Sequence, residues 1–481
     1  MNIHCSTLGS SLQDAISAAI QAHQPIADTG VAVAVIQNGK LGFAGGFGLR
    51  DRAAGAPVDA ETCFAIGSAT KAFTSMATAI FAGQFLPDVP VKQFLPDFEM
   101  QDPVATSETT LVDILCHRTG LAPHNCLWFL GPFTRSQLYY RLRYLAPAAP
   151  FRSTYIYNNL MYMVAGYLLE TILGENYEDI IRTNILDPLG MSATNLSFAD
   201  LISGPNHARG YENADELPLK DFANIAPAGA INSTVLDMAK WVQLFLRKGL
   251  TSNGSQLVSQ SSLEQMYAPI ISAGPGVMYG LGWDVGSIQV PGTTQEKKLV
   301  FHTGDPVGCA AYVSFMPDDG LGVVVLTNQN CTQALVNIWP DKVATDIYDY
   351  LLNGQITGLT KLPKRNAPGG TSMAGVATPI SMPAASAAAP SNPGSYTGMY
   401  SNPGYGDFVI SHTGSKLNIV YYSQSWPLQP FSDTIFAFAV QAFGTTFPVR
   451  VTFAKDGTGA IGSFTATLVT SPLLEIPFVK R

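Results

Sequence analysis

The sequence predicts a two-part chain: a mixed α/β (α+β) domain built on an antiparallel sheet, then a small all-β unit. Three observations predict it. Strand-like runs occur near residue 31 and again near residue 325, with helical periodicity between them. A Pro-, Ala-, Ser- and Gly-rich stretch then interrupts the chain, and beyond it short strands alternate with Gly, Asn and Asp turns. At 481 residues the chain also exceeds what one core usually supports.

Each element can be justified in order. Residues 11–23 read as a helix. "GVAVAVIQNGKLGFAGGFGLRD" reads as two apolar runs joined by Asn38-Gly39, a hairpin signal because both turn positions favour positive φ. After Phe64 the period changes: Ala72, Phe73, Met76, Ala77, Ile80 and Phe81 recur at helical steps. Residues 87–235 read as a mostly helical insertion punctuated by Pro and Gly. Strand signals return in "YGLGWDV", "LVFHTG", "CAAYVSFMP" and "LGVVVLTNQ", and "VNIWPDKVATDIYDYLLNG" reads as a closing helix. The expected divisions are a catalytic-type domain over 1–355, a linker over 356–392, and an all-β sandwich or barrel over 393–481.

Composition excludes several classes. Apolar residues make up 47% and charged ones 13%, as in a well-buried globular protein. A net charge of -8 and a pI near 5.4 argue against nucleic acid or an anionic membrane as partner. No run is long enough to span a bilayer, and the first thirty residues lack the features of a signal peptide, so a cytoplasmic protein is expected. The six cysteines show no metal-like spacing and read as reduced thiols. No metal cluster, phosphate loop or dinucleotide fingerprint is present, so neither metal nor cofactor is expected.

The chemistry centres on "AIGSATKAF". It puts Ser68 and Lys71 one turn apart on one face of a helix start, where a lysine can activate a hydroxyl and free N–H groups can hold an oxyanion. Alone, Ser-x-x-Lys reads rather as an N-cap serine with a solvated lysine. "YIYNNLMYMVAGYLLE" adds Tyr157 and Asn159 at another apolar helix start, and "VFHTGDPVG" adds His302, Thr303 and Gly304 at a strand end. Each also has a structural reading, as core tyrosine or strand-ending turn.

In this order the three motifs resemble the serine β-lactamase and penicillin-binding peptidase superfamily, with its Ser-x-x-Lys, Tyr-x-Asn and Lys-Thr-Gly or His-x-Gly set. The nearest branch is that of class C β-lactamase-like hydrolases, which holds D-aminopeptidases, D,D-peptidases and esterases. "DILCHRTGL", "ILDPLGMSAT", "PAGAINSTVLDMAKWVQLFL" and "YGLGWDV" extend the resemblance over roughly residues 30–350. The tail resembles the lipocalin-like C-terminal domain of some D-amino-acid-specific peptidases.

The resemblance implies roles. Ser68 is the acylated nucleophile, Lys71 the base or proton relay, and Tyr157 the group that exchanges protons with nucleophile, leaving group or water; it leaves open which of Lys71 and Tyr157 is the acylation base. Asn159 binds substrate amide or fixes Lys71, and His302 assists Tyr157 or contacts substrate. Thr303 and Gly304 line the substrate edge, and the oxyanion hole is the N–H of Ser68 and of Asp305. Asp305 departs from the usual small residue. Its carboxylate, with His302 in place of a fixed cation, disfavours a penicillin carboxylate.

The expected function is a serine hydrolase acting through an acyl-enzyme on a small-molecule or short-peptide amide or ester, foremost a peptidase or amidase favouring D-residues. Esterase, acyltransferase or cyclising thioesterase, weak β-lactamase and silent peptide-binding protein are the alternatives, and a homo-oligomer is compatible. Trp128, Phe129 and Phe133 read either as core or as walls of a substrate pocket. Tyr400, Tyr405 and Trp426 read as core of the all-β unit or as residues facing the cleft.

Overall fold

The computed structural model of the protein describes residues 9–82, 87–290, 293–330, 339–358, 361, 388–442, 445–470 and 473–481. Eight strands form the central sheet: β1 (Val31–Gln37), β2 (Lys40–Phe47), β3 (Ile271–Gly274), β4 (Val277–Tyr279), β5 (Asp284–Gln289), β6 (Glu296–Gly304), β7 (Ala310–Met316) and β8 (Leu321–Thr327). Their order is β2-β1-β8-β7-β6-β5-β4-β3. All pairs are antiparallel, and β1 pairs with β8 from Val31–Thr327 to Ile36–Gly322. The sheet is therefore assembled from distant segments. Asn38 and Gly39 turn the first hairpin with φ of 52° and 68°, the mirror-image conformation their residue types favour.

The two-residue period of β1 separates two cores. Val31, Val33 and Val35 join Val323 and Val325 against helices α1 (Gly9–His23) and α7 (Trp339–Asn353). Ala32, Ala34 and Ile36 point the other way, into the larger core shared with α2 (Thr70–Ile80), α5 (Asn159–Leu173) and α6 (Val235–Leu246). Between β2 and β3 lies the helical part of the chain, which also contains α3 (Asn125–Leu130) and α4 (Arg135–Arg141).

The tail is a closed barrel of eight strands, β9 (Gly398–Asn402), β10 (Gly406–Thr413), β11 (Lys416–Tyr421), β12 (Gln424–Pro430), β13 (Ile435–Ala442), β14 (Thr445–Lys455), β15 (Ile461–Thr470) and β16 (Leu473–Lys480). Each strand pairs with its sequence neighbour, and β16 closes on β9 at Tyr400–Lys480. This is the up-and-down, lipocalin-like arrangement. Its interior is filled by side chains, with Phe408 stacked on Tyr421 and Phe464 on Phe478 at 4.3 and 4.9 Å. Most of the stretch read as a linker lies outside the described residues.

Cys63, Cys116, Cys126 and Cys309 are free thiols, and burial pushes each up to about 12, so none of them offers a thiolate near neutral pH. Cys5 and Cys331 lie outside the described residues. Among those residues no helix is long and apolar enough to cross a membrane.

Candidate active site

A single turn of 3-10 helix, Gly67–Ala69, leads into α2 and carries Ser68, which is buried. Lys71 follows in the first turn of α2 and is wholly buried. Its Nζ lies 3.1 Å from Ser68 Oγ, 2.7 Å from Asn159 Oδ1 and 2.9 Å from the Ala228 carbonyl.

That cradle has a specific consequence. The Asn159 and Ala228 oxygens can only accept, so each takes an N–H of Lys71. The remaining tetrahedral position points at Ser68. In the ammonium it carries a hydrogen; in the amine it carries a lone pair aimed at the hydroxyl. The segment that supplies Ala228 is held along α2: Thr74 Oγ1 donates to Pro227 O at 2.6 Å, and Ile231 N–H to Thr70 Oγ1 at 3.1 Å.

Tyr157 reaches the site from the opposite side. The loop after Leu111–Leu115 turns at His117 with φ of 64°, and there His117 Nδ1 accepts the Asn158 N–H at 3.0 Å. Asn158 caps α5 by accepting from Met161 N–H and anchors itself to the carbonyls of Leu121 and Ala122. The Tyr157 ring thereby sits 4.6 Å from Lys71 Nζ. It also packs 4.4 Å from the His117 ring and 6.5 Å from that of His302.

His302, Thr303 and Gly304 end β6. His302 is buried; its Nδ1 lies 2.7 Å from the Thr303 carbonyl and its Nε2 3.0 Å from Tyr279 OH. Because a carbonyl only accepts, Nδ1 carries the hydrogen, and Nε2 of the neutral ring accepts from Tyr279. The Thr303 hydroxyl is buried without a hydrogen-bond partner in the described residues.

Gly304 is where the strand meets the turn that carries Ser68. A Cβ there would lie 1.8 Å from the Ile66 carbonyl oxygen. Gly67, at φ of 51°, approaches in return: its Cβ would lie 3.0 Å from the Asp305 nitrogen and 2.7 Å from Pro306 Cδ. The backbone around Ser68 and that of Asp305 thus border one small space, and Asp305 itself is only 9% exposed.

All eight motif residues lie around this centre. Ala228, Tyr279 and His117 belong to it as well and were not singled out in the sequence. A backbone carbonyl leaves no residue-type signal, and the other two sit in segments that read as strand and helix and entered only as blocks of the resemblance. Beside the centre runs a narrow cleft lined by Leu219, Phe222, Ala230, Asn232, Pro306 and Val307, among others. Trp128 packs edge-on against Phe222, behind this lining, at 6.1 Å. Phe133 packs instead on Tyr422 of the barrel, at 5.4 Å. Tyr400 lies in the barrel core against Phe464, Trp426 packs on Phe438, and Tyr405 reaches out to His124. Among the described residues no group of three or more His, Cys, Asp or Glu side chains could hold a metal ion.

The family model for β-lactamase matches residues 20–344. An unguisins hydrolase of Aspergillus violaceofuscus is 33% identical over 341 residues, covering 63% of this chain and 59% of that protein. A β-lactamase of Escherichia coli K12 is 27% identical over 334 residues, with 63% and 84% covered. The octameric penicillin-binding protein homologue from Pyrococcus abyssi superposes with a TM-score of 0.60 at 21% identity, over 98% of this chain and 99% of that one. A class C β-lactamase from Rhodobacter sphaeroides gives 0.59 at 22% identity, over 71% and 99%. The chain belongs to the β-lactamase family. It spans about three-fifths of the length of the unguisins hydrolases it matches.

Proposed function

We propose that the protein hydrolyses an amide or ester through an acyl-enzyme on Ser68. The observation that carries the reading is the buried Lys71 with its three oxygen neighbours, Ser68 Oγ, Asn159 Oδ1 and Ala228 O. In the amine form the lone pair takes the Ser68 proton as Oγ bonds to the substrate carbonyl carbon. The oxyanion that forms faces the N–H groups of Ser68 and Asp305. Its collapse expels an amine or alcohol, which leaves with a proton from the Lys71 and Tyr157 pair. Water then repeats the sequence in reverse and frees the acid.

The substrate we infer is a short peptide or related amide, with a D-residue or a free amino end, rather than a penicillin. Asp305 adds an acidic residue where its N–H is assigned to the oxyanion site. His302, with Nδ1 on a carbonyl and Nε2 on Tyr279, offers no fixed cation to a carboxylate when neutral. The Thr303 hydroxyl, buried without a partner among the described residues, supports a bond to a substrate amide. Relatives named for hydrolysis of unguisins are consistent with a hydrolytic role. The test is intact mass after incubation with a fluorophosphonate, followed by a panel of D- and L-aminoacyl amides, p-nitrophenyl esters and nitrocefin. Wild type gains one adduct and Ser68→Ala none; an unlabelled wild type overturns the reading.

A further inference from the structure

The six-residue helix α3 lies between the barrel and one wall of the cleft. A helix leaves its last four carbonyls without partners inside itself, and in α3 all four are accounted for. Leu127 O accepts the Gly131 N–H at 3.1 Å. Trp128 O accepts from Asn224 Nδ2 and Phe129 O from Lys220 Nζ, both at 2.8 Å. Leu130 O accepts from Gln424 Nε2 of the barrel at 3.2 Å. The residue that caps the other end of α3, His124, is held by the barrel too, through Tyr405 OH at 2.9 Å from Nδ1.

Lys220 belongs to the stretch that lines the cleft from Leu219 to Phe222, and Asn224 lies two residues beyond it. Most residues from Asn213 to Asp221 are exposed, so little core burial fixes their position. The wall is held by the pair of bonds to α3 and the packing of Phe222 against Trp128, and also by Arg135 Nη2, which donates to Ala223 O at 3.1 Å. One side of α3 therefore holds the barrel and the other holds the cleft.

We propose that Tyr405 and Gln424 of the barrel are positioning residues that set the 219–222 wall of the substrate cleft by way of α3, and so tune substrate binding without touching substrate. The proposal rests on the hydrolase reading above. It assigns the barrel a part in specificity, with the proton-transfer centre at Ser68 left alone.

A double-mutant cycle on the full chain tests it, using Tyr405→Phe, Asn224→Ala and the pair, with Gln424→Ala as a half-buried alternative should Tyr405→Phe fail to fold. Steady-state hydrolysis of p-nitrophenyl acetate and hexanoate is measured well below the thermal midpoint, with the fluorophosphonate labelling rate as control. Each single variant should raise KM for the longer ester about threefold or more, with kcat and labelling within about twofold of wild type. The double variant should fall short of the product of the two, because both act through α3. Wild-type KM in the single variants, or effects that multiply, overturn the proposal alone. A wild type that is neither labelled nor active on any ester removes the hydrolase reading, and this proposal with it.

Discussion

Lys71 Nζ and Asn159 Oδ1 are 2.7 Å apart, and this bond, with that to Ala228, decides which way the amine's lone pair points. Asn159→Ala should leave the amine free to turn and lower kcat/KM on a chromogenic ester by about a hundredfold. Asn159→Asp keeps an acceptor but sets a negative charge against the amine, which favours the ammonium. Since the base must be neutral, the acid limb of its kcat/KM profile should move to higher pH. An Asn159→Asp profile superposable on wild type would remove Lys71 as the acylation base and leave Tyr157.

Gly304 tests the joint between strand and nucleophile. Its absent Cβ leaves room for the Ile66 carbonyl, which would otherwise lie 1.8 Å away, and backbone cannot yield as a side-chain end can. Gly304→Ala should cost roughly 1 to 3 kcal/mol of stability by overpacking. It should also abolish fluorophosphonate labelling, because the displaced segment carries Ser68. Full labelling in Gly304→Ala would show that the turn moves independently of β6.

The motifs were legible because the chemistry demands particular residue types: a hydroxyl, an amine, a phenol and an imidazole at fixed steps. The sheet was legible for a different reason, since Asn38-Gly39 and the period-2 runs of β1 and β8 encode turn and face locally. What the sequence did not carry is what backbone supplies. The Ala228 carbonyl could not be distinguished from any other, although it decides the orientation of the Lys71 amine. Tyr279 was hidden for the converse reason: a strand tyrosine is so common in cores that its hydroxyl on His302 carries no signal until β4 and β6 are placed. The aromatic run 124–144 divided once folded, with Trp128 behind the cleft and Phe133 on the barrel, a distinction that depends on long-range packing.

Asp305 carries the specificity argument. Its nitrogen lies 3.0 Å from where a Gly67 Cβ would stand, beside the turn that carries Ser68, and its side chain is buried; on the proposed reading its charge opposes a β-lactam carboxylate. Asp305→Ser or Asp305→Gly should raise nitrocefin acylation by about tenfold or more relative to the parent, as expected for removal of a like charge at short range. Hydrolysis of an uncharged p-nitrophenyl ester should change by less. If nitrocefin acylation stays flat, or nitrocefin is the best substrate of the parent, the charge of Asp305 does not exclude penicillins.

His124 gives the barrel contact a pH dependence whose sign can be worked out. It is wholly buried, its Nε2 donates to the Ala146 carbonyl at 2.9 Å, and its Nδ1 accepts from Tyr405. Burial pushes its pKa down to about 4 from the ordinary histidine value of 6.5, against a smaller opposing effect of the Ala146 carbonyl. The folded protein therefore keeps the ring neutral where the unfolded chain takes up a proton. Its contribution is complete above pH 6.5 and is lost as pH falls toward 4, by roughly 3 kcal/mol over that window. His124→Gln cannot titrate, so although less stable than wild type at pH 7 it should lose less on acidification, and the gap between the two should narrow. Urea midpoints measured every half unit from pH 7 to 4.5 read this directly. A constant gap would mean that His124 takes up its proton at the same pH folded and unfolded, and a widening gap that it is protonated in the folded protein with the Tyr405 hydroxyl as acceptor.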